Sequence, residues 1–334
     1  MSKTLRKAPR AANARGCAVV LGMSLMAAWP AAQATCQYKQ LGAIPATWVD
    51  RRLEIDGSVD LAPLKMTIDT GTAWTSVSSA VAARLNLRTA PTVTTEITPA
   101  GEKSGTTAKL KELSLGRFQW IEPWVVVGWQ GAGAPDVMVG ANVLLEHDVE
   151  LDGHRIVFFA PTGCEDAALG YWADDVPWVP TAAAAPRDQR TVVTVQVNGQ
   201  PVRALVDSGS AATILDSAAA RRLGAEPEDP DSQGGQPAGA GSRVKRVSVA
   251  RVDAVAIGPE IVRHVRLQVG DLRPGGRGDV PATKPSSEFP EMILGADFVQ
   301  SHHLLFATSQ HRLYFSYLGG EVFSAPPRTA VAAH

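Results

Sequence analysis

Apolar runs in this chain are short, three to six residues, and are separated by clusters of Gly, Pro, Thr, Ser and Asp. That spacing is the signature of strands and turns rather than of long helices. The alternating stretch Leu53-Glu54-Ile55-Asp56-Gly57 predicts a strand ending in a turn. Met66-Thr67-Ile68 then carries Asp69 into the turn Thr70-Gly71-Thr72. Residues 75–86, rich in Ala, Val, Leu and Arg, predict a short helix stopped at Asn86. A polar, β-prone stretch over 93–110 turns at Pro99-Ala100-Gly101 and predicts an exposed hairpin. Strands are expected over 113–115 and 124–127, followed by a buried strand around Met138-Val139 that turns at Gly140 into a short helix. Residues 147–151 and 155–159 close the unit as two further strands.

The same programme restarts at Val192. Val197-Asn198-Gly199 repeats Ile55-Asp56-Gly57, and Ala204-Leu205-Val206 carries Asp207 into Ser208-Gly209-Ser210. Pro237-Ala238-Gly239 follows Asp207 at the same distance as Pro99-Ala100-Gly101 follows Asp69. Met292-Ile293-Leu294-Gly295 matches Met138-Val139-Gly140, and His311-Arg312-Leu313-Tyr314-Phe315 matches His154-Arg155-Ile156-Val157-Phe158. Shared order and landmarks over this length mark an internal duplication. The fold class predicted is therefore all-β, with two tandem barrel-like lobes related by a pseudo-two-fold and only short helices.

With 334 residues the chain is long enough for two cores. The expected boundaries are 1–34 for a leader, 35–165 for the first lobe, 166–190 for a linker, 191–318 for the second lobe and 319–334 for a disordered tail. The leader carries Lys3, Arg6, Lys7, Arg10 and Arg15 without an acidic residue, then an apolar run and Ala32-Gln33-Ala34 as a small-residue cleavage site. This reads as a secretory signal peptide; an uncleaved anchor is the alternative, but the run is short for a bilayer span. Removing those five cations takes the formal charge from −1 to −6, which leaves no basic surface for nucleic acid. The expected location is periplasmic or secreted, with no transmembrane span in the mature chain. Cys17 leaves with the leader, so Cys36 and Cys164 remain as an even pair in an oxidising compartment. A disulfide pinning the N-terminus to the first lobe is the reading adopted; two free buried thiols is the other.

Two Asp turns in register, each followed by an apolar-apolar-Gly element, resemble the retropepsin-like aspartic proteases in a single-chain, two-lobed, secreted bacterial form. The resemblance covers roughly 53–160 and 190–317. It implies that Asp69 and Asp207 meet across the pseudo-two-fold and share one proton over a wide acidic range. The ionised member would take a proton from water while the protonated one donates to the scissile carbonyl, in the manner of aspartic proteases. It further implies that Thr70 and Ser208 hydrogen-bond across the axis, that Gly71 and Gly209 offer N–H groups to the carboxylates, and that Thr72 and Ser210 brace their outer oxygens. The hairpins at Pro99, Ala100 and Gly101 and at Pro237, Ala238 and Gly239 would be flaps over the cleft. Neither hairpin carries the flap tyrosine of pepsin-like enzymes, and Thr72 and Ser210 stand where relatives often have Ala.

The activity implied is aspartic-type endopeptidase, acting on a peptide or protein substrate as a monomer with an internal pseudo-dimer and without a cofactor. A catalytically silent member of the same fold that binds peptides or an envelope partner is the alternative. His147, His154, His302, His303 and His311 recur in the closing strands away from the Asp turns and are not expected to hold a metal. Arg277-Gly278-Asp279 lies in a Gly- and Pro-rich insertion and is read as a chance tripeptide. Among the tryptophans, Trp124 and Trp129 are candidates for lining a cleft.

Overall fold

The computed structural model describes residues 35–98, 101–128, 135–186, 188–228, 247–272 and 290–323. The expected leader, the residues Pro99, Ala100, Trp129, Pro237, Ala238 and Gly239, the tripeptide 277–279 and the end of the chain from 324 lie outside the described residues.

The fold is all-β with short helices, and each half follows one plan. In the first half Arg52–Val59 and Ala62–Ile68 form an antiparallel hairpin, with Leu53 opposite Ile68. Leu53, Ile55 and Val59 point inward on alternate positions, as a half-buried strand requires. The alternation ends at Met66, Thr67 and Ile68, all buried, because this strand is covered on both sides. Val137–Val139 runs parallel to it, and Ser76–Ser78 pairs antiparallel with Val137–Val139. The second half repeats this arrangement. Thr191–Val197 pairs with Gln200–Val206, Met292–Leu294 runs parallel to the latter, and Ile214–Asp216 pairs antiparallel with Met292–Leu294.

One expectation shifts here. The helix read over 75–86 begins only at Ser79 and ends at Arg84, because Ser76-Val77-Ser78 is a strand. Two β-branched residues sit in 75–78, and the Ser78 hydroxyl accepts from the Val81 N–H at 3.1 Å as an N-cap. Asp216 caps the matching helix Ser217–Arg222 through the Ala218 and Ala219 N–H groups. In both helices arginine occupies the last turn, where it favours the dipole.

The halves are joined by their closing strands. Asp148–Leu151 pairs antiparallel with His302–Ala307, placing Val149 opposite Phe306 and Leu151 opposite Leu304. Arg155–Thr162 and Gln37–Pro45 extend this sheet on one side, and Arg312–Tyr317 and Trp178–Ala183 on the other. Trp178–Ala183 falls within the stretch read as linker, and it continues into the second half by pairing with Thr191–Val197. The Arg312 guanidinium lies 4.1 Å from the Trp178 ring centre, a cation–π contact that holds the strand down. One hydrophobic core runs through both halves, from Ile55, Met66 and Val139 to Val195, Val206 and Leu294. The tail expected from 319 stays packed a little further, since Val322 and Phe323 are buried against that core.

Cys36 and Cys164 form a disulfide that closes 128 residues of sequence separation and fastens the edge strand Gln37–Pro45 to the end of Arg155–Thr162. Closing so long a loop removes much of the unfolded chain's freedom. Replacing both cysteines with Ala is expected to destabilise the protein by about 2–5 kcal/mol. Urea denaturation of the oxidised protein and the double variant measures the difference.

Candidate active site

The strand Ala62–Ile68 ends at Asp69, and the strand Gln200–Val206 ends at Asp207. The following turn cannot drift, because the glycine element passes directly behind it. Asp69 N–H donates to Val139 C=O at 3.0 Å and Asp207 N–H to Leu294 C=O at 2.9 Å. At Gly140 a Cβ would sit 2.7 Å from the Trp74 carbonyl carbon, and at Gly295 2.3 Å from that of Ala212. Only glycine lets the backbones approach this closely.

Each carboxylate is held by its own turn. Gly71 N–H and Thr72 N–H both donate to Asp69 Oδ1 at 2.9 Å. Gly209 N–H and Ser210 N–H donate to Asp207 Oδ1 at 2.9 and 3.0 Å. Thr72 and Ser210 thus reach the carboxylates through the backbone, on the oxygen the glycine already serves. The Ser210 hydroxyl donates instead to the Ala212 carbonyl at 2.9 Å.

The turns are locked to each other by Thr70 and Ser208. Thr70 N–H donates to Ser208 Oγ and Ser208 N–H to Thr70 Oγ1, both at 3.1 Å. The Thr70 hydroxyl donates to Val206 C=O and the Ser208 hydroxyl to Ile68 C=O, both at 2.9 Å. All of these groups are buried, so each hydroxyl uses its donor and an acceptor site with no competition from water.

This grip brings the carboxyl groups of Asp69 and Asp207 into hydrogen-bonding contact. Asp69 is 6% exposed, and Asp207 keeps partial solvent contact. Burial raises the Asp69 carboxyl well above the usual range, and the adjacent Asp207 charge raises it further against the Gly71 and Thr72 N–H groups. Burial also raises Asp207, opposed by the hydrogen bond from Asp69, the Gly209 and Ser210 N–H groups and the nearby Arg190 charge. A pair arranged in this way can hold one proton between two acids, leaving one group to donate and one to accept.

Residues 193–298 match the family model described as aspartyl protease, and residues 55–146 match the model described as gag-polyprotein aspartyl protease. Each match contains one of the Asp turns and its glycine element. The chain belongs to the retropepsin-like aspartic protease family. The fold of this retropepsin-like protein resembles that of the aspartic proteinase from Irpex lacteus, with a TM-score of 0.50 at 14% identity, covering 84% of this chain and 97% of the other. A retropepsin-like aspartic protease from Rickettsia conorii aligns with a TM-score of 0.29 at 18% identity, covering 38% of this chain and 97% of its own length. No curated protein matches the chain significantly in sequence.

Behind each turn of this retropepsin-like site lies a second layer that sequence reading passed over. Thr75 N–H and its hydroxyl donate to Asn142 Oδ1 at 2.7 and 3.0 Å, and Gly140 N–H donates to Thr75 Oγ1 at 3.0 Å. In the second half Thr213 takes the place of Thr75 and Asp297 that of Asn142, with distances of 3.0 Å from the N–H and 2.7 Å from the hydroxyl. The signal was present: the threonines keep the offset of the repeat, and both polar residues sit two positions after the glycine. Arg51 donates to the Ala211 carbonyl at 3.1 Å, and Arg190 to the Gly71 carbonyl at 3.3 Å. Trp124 is exposed in the strand Trp124–Gly128. His302 faces Glu260 at 3.0 Å, and His303 faces Glu150 at 3.2 Å.

Asp297 carries a test of its own. Its burial pushes the carboxyl up to about 6, against the Thr213 and Phe298 hydrogen bonds and the Arg51 charge. A folded-state value above the unfolded one means a contribution fully present below about pH 4 and lost as pH rises through about 6. The wild type is expected to lose about 2 kcal/mol from this group between pH 4 and 7. Asp297→Asn, which Asn142 shows to be compatible with the same hydrogen bonds, should remove that decline. Urea denaturation at both pH values reads it.

Proposed function

We propose that the protein is an aspartic endopeptidase that hydrolyses peptide bonds with a water activated between Asp69 and Asp207. The observation that carries the reading is the contact between the buried Asp69 carboxyl and the partly solvated Asp207 carboxyl, each bonded on Oδ1 by two backbone N–H groups from its own turn. With those oxygens occupied, each carboxyl group keeps its second oxygen for exchange with its partner and with water. The ionised carboxylate takes a proton from water as the oxygen attacks the scissile carbonyl carbon, and the protonated one donates to the carbonyl oxygen. Collapse of the tetrahedral species returns a proton to the leaving amine and regenerates the pair. No covalent enzyme intermediate and no cofactor enters this cycle.

The hairpin built by Thr89–Thr98 and Gly101–Lys109 serves as a flap in this reading. The lobes are those assigned from sequence, 35–165 and 191–318. A protein substrate enters as an extended segment, and the chain acts as a monomer outside the cytoplasm, in keeping with the Cys36–Cys164 disulfide. The test is digestion of a mixed peptide library from pH 3 to 8 by the wild type and by Asp69→Asn and Asp207→Asn. Cleavage confined to the wild type supports the proposal. Identical behaviour of all three proteins sinks it and leaves a peptide-binding role.

A further inference from the structure

The two halves supply the dyad symmetrically, but the charges around it are not symmetric. A Cβ placed on Gly71 would lie 2.0 Å from Asp207 Cγ, and one on Gly209 would lie 2.2 Å from Asp69 Cγ. Each carboxyl group is therefore seated against the glycine of the opposite turn. The Arg190 guanidinium donates to the Gly71 carbonyl through Nη1 at 3.3 Å, which brings its positive charge within a peptide unit of Asp207. On the other side Arg51 passes Gly209 by and donates to the Ala211 carbonyl, two residues further on, where its charge acts on the buried Asp297.

We infer that Arg190 is a positioning residue that breaks the equivalence of the dyad, keeping the negative charge on Asp207 and the shared proton on Asp69. The inference rests on the reading of Asp69 and Asp207 as the catalytic pair. Arg190 is itself fixed by Asp188, with Nη2 to Oδ2 at 2.6 Å and Nε to the two carboxylate oxygens at 3.1 and 3.0 Å. Those bonds leave Nη1 to reach Gly71, so Asp188 both aims the guanidinium and offsets part of its charge. Among the described residues, the charged groups around the pair include Arg190 and Asp188 at Gly71, with Arg51 and Asp297 behind Ala211 and Thr213. Arg190 lowers Asp207 against its burial, and among the described residues no cation is a main influence on Asp69. In the cycle this makes Asp207 the group that accepts the proton of water and Asp69 the group that donates to the carbonyl.

Two measurements test this, one of them independent of activity. The acidic limb of kcat/KM against pH reports ionisation of the first member of the pair. For Arg190→Gln it is expected to move up by about one pH unit, while the basic limb moves less, so the profile narrows from the acid side. Arg190→Lys should restore most of the shift. Asp188→Asn removes the offsetting charge and should move the acidic limb the opposite way. Carboxyl carbon NMR of Asp-labelled protein should show Asp207 ionising before Asp69 in the wild type, with that order narrowed or lost in Arg190→Gln. An even drop in kcat/KM across pH with the limb unmoved would overturn the inference, as would shifts of the same sign in Arg190→Gln and Asp188→Asn. Either would mean that Arg190 merely packs its segment. A wild type without any cleavage removes the enzyme reading alone; the NMR order then decides whether Arg190 polarises the pair.

Discussion

Asp69→Asn and Asp207→Asn are each expected to lower kcat/KM by ~10³-fold or more, with the double variant scarcely worse than either single one. In the proposed cycle the pair acts as one unit, so losing either acid removes both the proton acceptor and the matched donor. The fold should survive, because Asn keeps the shape of Asp and its amide oxygen can accept the two N–H groups of its turn. Stability should in fact change sign relative to activity. Both carboxyl groups are raised by burial, so their contribution to stability is fully present below the unfolded value, about pH 4, and falls as pH rises through the folded ones. An Asn variant lacks this fall. Its melting temperature should therefore gain on the wild type at pH 7 relative to pH 4, measured by thermal unfolding in matched buffers alongside the cleavage assay.

Gly71→Ala and Gly209→Ala carry the second large effect, and they separate geometry from acidity. An added methyl at Gly71 would lie 2.0–2.4 Å from the carboxyl atoms of Asp207, and at Gly209 2.2–2.6 Å from those of Asp69. No real contact is that short, so the opposite carboxyl must be displaced. Displacement breaks the Asp–Asp contact and strains the turn whose N–H groups hold the other acid. A loss of ~10²-fold or more in kcat/KM is expected, together with about 1–3 kcal/mol of stability from overpacking. Paired kinetics and urea denaturation distinguish this from a simple folding defect: a stable protein that still cleaves normally would show the carboxyl groups are not seated as described.

Much of this site was legible because the chain states its plan twice. The two Asp turns, the glycine elements and the Cys36–Cys164 pair all stand out from residue type and spacing. The mutual seating of Gly71 against Asp207 and Gly209 against Asp69 was not, since a glycine in a turn already has a local reason to be there. Ser76-Val77-Ser78 was read as helix because three residues are too few for a period of two to show. Trp178–Ala183 was read as linker from its Pro and Ala content, although it is paired on both sides. Only the folded chain shows that Arg190 reaches Gly71. Asn142 and Asp297 are polar residues inside apolar runs, and their partners lie 67 and 84 residues away along the chain.

The join between Asp148–Leu151 and His302–Ala307 has a consequence for biosynthesis. A nascent first half emerges with that strand edge open and with Asp69 facing no partner, because both the edge and the acid are completed by residues translated much later. Hydrolytic competence in the proposed cycle therefore cannot precede synthesis of nearly the whole polypeptide, and a truncated product would be inert rather than indiscriminate. Until then the bare edge is the segment most in need of shelter from stray β-pairing.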